Sequence, residues 1–543
     1  MAWIRVHSTL PSHRSRNATI GAALVGVVLA GCGPGGGGPG DATAATDGAG
    51  PTTATTTNTT GTGTGTSGTN TMGTAGGSTA TATGASAGST TAEPKFDLGE
   101  IPDGGNGGGG FTGIPTTCTQ AEMTQSTVGC SFHANKMQNF VEEPTSIVVG
   151  NVSTTEDVTI QLYFTPLGGV EMPDGAPVTI APLSTHEFVL SKPPEPGDVS
   201  ILRDGGTFRV ESDLPIVAYQ HSPISAVAHN DSSMLIPDHA LGKFHIVASW
   251  AGNIDPSMFQ VIAVNDGTTV TWWPPSGSAA GTGVPAVAPG GSGMVSMGAG
   301  DLLQVRANGS GDLSGTVLET SAPVWAVGSS PCVNVPSGVT FCDHIEEQLI
   351  PLEYWGTTYV GAHAPTRGNE RYWWRIYSAE DGVTVTTTPP QPGTPVTLNR
   401  GEFHEFSTQE SFLVEADGPI MPVQYLEGQD GGAGTGDPAS YQMVPVEQFL
   451  PRYVFVTGTG YSEHYVQVIR PADGADVEVD GVVVTGYQTV GGFEVADWPI
   501  TEGSHAAVST EPFGITVVGY TTVTSYAYPG GLALGFINPN PEG

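Results

Sequence analysis

The chain has 543 residues, of which 13% are charged, and 52 acidic against 16 basic side chains give a formal net charge of −36. A surface of that sign repels phosphate backbones and anionic lipid headgroups, which argues against nucleic-acid binding and electrostatic membrane adhesion. The scarcity of lysine and the excess of acid fit a protein kept soluble outside the cell.

At the N-terminus Arg5, Arg14 and Arg16 precede the apolar run Thr19–Ala30, which is too short to span a bilayer as a folded helix. The run ends in Leu29-Ala30-Gly31-Cys32. This order resembles a bacterial lipoprotein signal, the alternative being an ordinary secretory signal with a coincidental cysteine. The resemblance implies removal of residues 1–31, acylation of Cys32, and an exported protein lipid-anchored to the envelope, at the outer membrane and facing outward. Residues 32–114 are Gly, Thr, Ser and Ala with hardly an apolar side chain, so they cannot bury enough surface to offset ordering entropy. They read as a disordered tether, with a root-mean-square reach of about 50 Å.

Four further cysteines pair most simply as Cys118–Cys130 and Cys332–Cys342, because the partners in each pair are close in sequence and the pairs are far apart. A zinc site built from all four lacks the tight ligand spacing such sites use.

From Cys118 onward, short runs rich in Val, Ile, Thr, Tyr and Phe alternate with polar residues and are cut by Gly, Pro, Asn and Asp. That pattern predicts an all-β protein. The runs also recur. Apolar stretches follow Pro215, Pro323, Pro419 and, more loosely, Pro512, and a short Pro turn follows as Met234-Leu235-Ile236-Pro237, Gln348-Leu349-Ile350-Pro351 and Gln448-Phe449-Leu450-Pro451. A strand and a hairpin with Asp-Gly at its turn complete each copy. The spacing predicts four tandem β-sandwich-like modules at 115–220, 221–325, 326–421 and 422–543, the alternative being one propeller-like assembly.

The run Cys342-Asp343-His344-Ile345-Glu346-Glu347-Gln348-Leu349-Ile350-Pro351, followed by Trp355-Gly356, is the most specific stretch. With Ser233–Pro237, Thr366-Arg367, Gly436-Asp437-Pro438, Val446–Phe449 and the closing Ser525–Gly531, it resembles the N-terminal domain of the IgGFc-binding protein family. The resemblance implies an extracellular, non-catalytic binding or adhesion region whose ligand is a protein or a glycan. In mucosal animal proteins this domain is associated with immunoglobulin and mucin, and the cysteine-rich modules that accompany it there are not seen in this sequence.

Candidate chemistry is sparse. Asp343, His344, Glu346 and Glu347 form an acidic cluster with a histidine, which offers a catalytic pair for a hydrolase. Glu447-Gln448 recurs at what reads as the equivalent place, and so points instead to a structural turn or cap. His221, His229, His239 and His245 with Asp231 and Asp238 lack the close spacing that favours zinc. No cofactor is implied, although the loop Glu427–Gly432 could offer oxygens to Ca²⁺. Of Trp272-Trp273 and Trp373-Trp374, strand alternation puts one of each pair in the core and the other outside or at a module contact, where it can meet a ligand. A self-associating envelope component is the reading from a different functional class.

Overall fold

Pro215, Pro323 and Pro512 lie inside strands of 16, 17 and 18 residues: Thr207–Ser222, Val317–Val333 and Ser504–Thr521. Each marks the point where the strand leaves one sheet for another. Residues 207–212 pair with the strand Val158–Thr165, whereas residues 216–221 pair with Thr145–Asn151. The same exchange occurs around Pro323 and Pro512. Proline has no N–H for a ladder, so the switch between sheets is where a strand tolerates it. In the remaining copy the long strand is broken at Gly418-Pro419 into Phe412–Ala416 and Ile420–Leu426.

Before the proline, side chains alternate between buried and exposed; after it, nearly every residue is buried. That is the expected difference between a sheet with one wet face and a sheet covered on both. The broken copy displays the plan openly as two four-stranded antiparallel sheets. They face each other through Trp374 and Phe412, whose rings stand 5.0 Å apart. Elsewhere the continuous long strand joins the two sheets into one eight-stranded sheet.

The protein is therefore all-β, in four successive sandwich-like modules. The computed structural model describes residues 114–543 apart from 125, 140–143, 193–194, 224–227 and 252–254. The signal segment, Cys32 and all but the last residue of the expected tether lie outside the described residues. Divisions at 220/221, 325/326 and 421/422 each fall inside a strand, the first two inside a long one. By topology a module instead ends after a short closing strand: Asp231–Met234, Asp343–Gln348, Ser440–Gln442 or Thr524–Pro529.

These closing strands touch in the cyclic order first, second, third, fourth, first. Around the ring, Thr127 N–H donates to the Leu532 carbonyl at 3.2 Å, joining the first module to the last. The strand Ile201–Arg203 leaves the first module to pair with Leu302–Gln304 of the second. Sandwich and closed assembly thus apply at different levels, the first to each module and the second to their arrangement.

Junctions follow the closing strands as single 3₁₀ turns, Asp238–Ala240, Leu352–Tyr354 and Val446–Gln448, capped by Pro237, Pro351 and Pro445. The third junction is thus Gln442-Met443-Val444-Pro445. The expected copy, Gln448-Phe449-Leu450-Pro451, enters the next strand. Each junction proline packs against a glycine that begins the module it closes. A Cβ on Gly129, Gly242 or Gly356 would lie 2.3, 2.3 or 2.6 Å from the Cβ of Pro237, Pro351 or Pro445. Gly242→Ala should therefore lower stability by about 1–3 kcal/mol through overpacking. Gly492→Ala, where nothing lies within 4 Å of the new Cβ, should change it by less than about 0.5 kcal/mol. Thermal melts of the two variants test the contrast.

Candidate functional site

The acidic stretch first noted in the sequence sits where the four closing strands meet. Asp343, His344, Glu346 and Glu347 are buried on the second of these strands, so they belong to a strand and not to a turn. Glu447 is the counterpart of Glu353 in the preceding junction. Glu353 accepts the Lys243 N–H, and Glu447 accepts the Thr357 N–H, both at 3.1 Å.

At the centre, the Asp231 carboxylate accepts backbone N–H groups from Ser232, Ser440 and Glu346 at 2.8, 3.0 and 3.2 Å. Asp343 accepts the Thr524 hydroxyl at 2.8 Å. Glu346 takes a bond from the Gln220 amide and pairs with His344, each at 3.1 Å. Glu347 accepts the Ser233 hydroxyl at 3.3 Å. Burial holds the carboxyls of Asp231, Asp343 and Glu347 well above the usual carboxylate range, and their mutual proximity adds to it. Burial likewise raises Glu346, with the His344 contact acting the other way.

The motif residues around this centre are architectural too. Gln348 accepts the Ile236 N–H at 2.8 Å, and Gln442 repeats the contact one module on with Ile350 at 3.1 Å. Each glutamine ties its closing strand to the previous junction. Pro351 caps the 3₁₀ turn, the Trp355 indole donates to the Ile350 carbonyl at 2.8 Å, and Gly356 packs on Pro445. Cys332–Cys342 and Cys118–Cys130 are both disulfides.

The histidines do not converge on a metal. His221 bonds the Ser232 hydroxyl at 2.5 Å, His245 is buried in the second module, and His239 sits in a junction. His229 Nδ1 lies 3.4 Å from the Cys332 sulfur. Among the described residues, His229 with the two disulfide sulfurs is the group of three whose donor atoms lie within 4.8 Å of one another. In the Asp/Gly-rich loop, Glu427 accepts the Arg371 N–H and Asp430 the Thr340 hydroxyl.

The tryptophan pairs split. Trp272 and Trp374 are fully buried, which removes them as ligand contacts, since alternation turned them into the sandwich core. Trp273 is 37% exposed. Trp373 is partly buried, edge-on to Trp250 of the second module at 6.1 Å. Both rings line a cleft of about 390 Å³ between the second and third modules. Arg375, two residues along the strand from Trp373, projects to the same side. Its guanidinium lies 4.0 Å over Trp250, bonds the Ser249 carbonyl, Asp312 and Ser314 of the second module, and bonds Glu405 of the third. Sequence alternation pointed to one of Trp373 and Trp374 without saying which, and Trp250, Arg375 and Glu405 are brought to Trp373 by the fold alone. A larger cleft of about 940 Å³ between the first two modules is lined by carboxylates and Arg209.

A sequence model described as IgGFc binding protein matches residues 231–519, from the first closing strand almost to the end of the last long strand. The chain belongs to the IgGFc-binding protein family. The human IgGFc-binding protein is 26% identical over 266 residues, covering 45% of this chain and 5% of that protein. The family match thus contains the central strands of the second and third modules and both walls of the tryptophan cleft. No helix among the described residues is long and apolar enough to cross a membrane.

The central acids generate a pH test. A carboxyl whose folded pKa is raised binds more protons in the native state than in the unfolded one, so its contribution to stability falls as pH rises through the folded value. Glu347→Gln removes that ionisation. Relative to the unmodified protein, the variant should gain stability progressively over the range from the ordinary carboxylate pKa upward. Melting temperatures of both proteins across that range would show it, and a pH-independent difference would contradict it.

Proposed function

We propose that this is an exported, lipid-anchored surface protein of a bacterial envelope whose four-module ring is a non-catalytic binding or adhesion region for a protein or glycan ligand. The match over residues 231–519 to a family described by its binding is the observation that carries the reading. Cys32 supplies the anchor, the outer membrane the location, and residues 32–114 a spacer that holds the ring clear of the lipid. The name of the human relative suggests an extracellular protein ligand, and the tryptophan cleft favours a glycan as a second class. No cofactor enters this reading. The acidic stretch that invites a hydrolase is buried where the closing strands meet, its carboxylates bonded to the side chains of Thr524, Gln220, His344 and Ser233, which supports a structural role for it.

Two measurements check the two halves. The exported chain should bind saturably to at least one of Fc fragment, immobilised glycans or intact cells. Absence of all three, with concentration-dependent sedimentation, would replace the reading with a self-associating envelope component. For the anchor, Cys32→Ala should move the protein from the membrane fraction to the soluble one, and unchanged fractionation would contradict lipidation at that residue.

A further inference from the structure

We infer that the cleft between the second and third modules is a subsite for an uncharged pyranose ring, with the half-buried indole of Trp373 as its aromatic wall and the buried Trp250, covered by Arg375, as that wall's support. The inference rests on the binding reading above and names where and what the ring binds. The strand Tyr372–Ser378 sets the geometry. Trp374 turns inward to Phe412, so Trp373 and Arg375 must turn the other way, toward Trp250.

The wall is rigid before any ligand arrives. Arg375 is only 4% exposed and its guanidinium is held over the Trp250 ring by bonds to Ser249, Asp312, Ser314 and Glu405, all between 2.8 and 2.9 Å. Groups fixed in this way cost little ordering entropy on binding. The cleft's 390 Å³ falls at the lower end of the range for small-ligand sites, about 300–1,000 Å³.

Chemistry then selects the occupant. Indole surfaces favour the C–H faces of a sugar, while hydroxyls need short polar partners around the rim. Ser310 and Ser337 are exposed in the cleft lining. Glu405 uses Oε2 for both of its bonds to Arg375, leaving Oε1, on a side chain 36% exposed, to accept from a hydroxyl.

Charge excludes the acidic sugars. Arg375 is already faced by two carboxylates, Asp312 and Glu405, at 2.9 and 2.8 Å. The local sum is negative, within a chain of net charge −36, so a sialic or sulfated residue would be repelled. Binding through calcium would need converging carboxylate oxygens. Among the described residues the convergent trio is His229 with the disulfide, and it lies away from this cleft.

The exported chain would be titrated with chitotriose, cellotriose and galactobiose, and with sialyllactose, while tryptophan fluorescence and heat are followed. A neutral oligosaccharide should bind and perturb the fluorescence, with sialyllactose at least about tenfold weaker. Trp373→Ala should weaken that binding by about tenfold or more, in the range of a hot-spot aromatic. Ser337→Trp should block the cleft from an exposed position without touching the core, so it serves even if the Trp373 variant folds poorly. Trp273→Ala, at an exposed indole elsewhere, should leave binding unchanged. Neutral-glycan binding that survives Ser337→Trp, a preference for the sialylated sugar, or Fc or cell binding without any sugar binding would each overturn the subsite. The last result would leave the binding reading standing.

Discussion

One buried carboxylate shows what the architecture depends on. Asp231 accepts backbone N–H groups belonging to three modules at once, from Ser232, Glu346 and Ser440. Strands that converge on an axis cannot all satisfy one another by ladder pairing, yet a buried N–H left without an acceptor costs about 1–3 kcal/mol. Side chains therefore supply the missing partners. Thr524 does so through its hydroxyl, which receives the Asn230 N–H and in turn donates to Asp343. Burying such acids is unfavourable in itself. The network is specific where an apolar centre would be stable but indifferent to which strands meet.

Outward from that centre, the long strands carry the plan to the surface. Each begins in a sheet with one wet face, bends at a proline, and ends in a sheet covered on both sides. The bend is reinforced by a side chain two residues before the proline. Asp213, Ser321 and Asp417 accept the N–H of Thr159, Thr269 and Thr384 at 2.7, 2.9 and 2.6 Å. Neighbouring modules are then fastened by different means: an exchanged strand between the first and second, the Arg375 clamp between the second and third, and terminal pairing between the fourth and first. The tryptophan cleft is a by-product of the Arg375 clamp, and this is why its walls are already fixed.

Much of this was legible from local pattern. Alternation and turn residues revealed the strands, the recurring prolines revealed four copies, and cysteine spacing paired the disulfides as Cys118–Cys130 and Cys332–Cys342. What the sequence hid was long-range. The Gln448–Pro451 and Gln442–Pro445 stretches both read as glutamine, two apolar residues and proline. Only the bond from the Ile350 N–H to Gln442, across 92 positions, identifies the real junction. Asp343, His344, Glu346 and Glu347 read as a polar turn because four ionisable side chains in six residues are poor strand formers. Their partners come from positions as distant as Asp231 and Thr524, which no local window contains. Trp250 and Arg375, 125 positions apart, likewise meet only once the second and third modules are docked.

If closing strands held by Asp231 and Asp343 unite the modules, the region from residue 114 to the C-terminus should unfold as a whole. Differential scanning calorimetry tests this most directly. The account predicts one transition whose calorimetric enthalpy equals its van't Hoff enthalpy, and which Asp231→Ala shifts downward without splitting. Two or more resolved transitions in the unmodified protein would show four independent modules, and would contradict it.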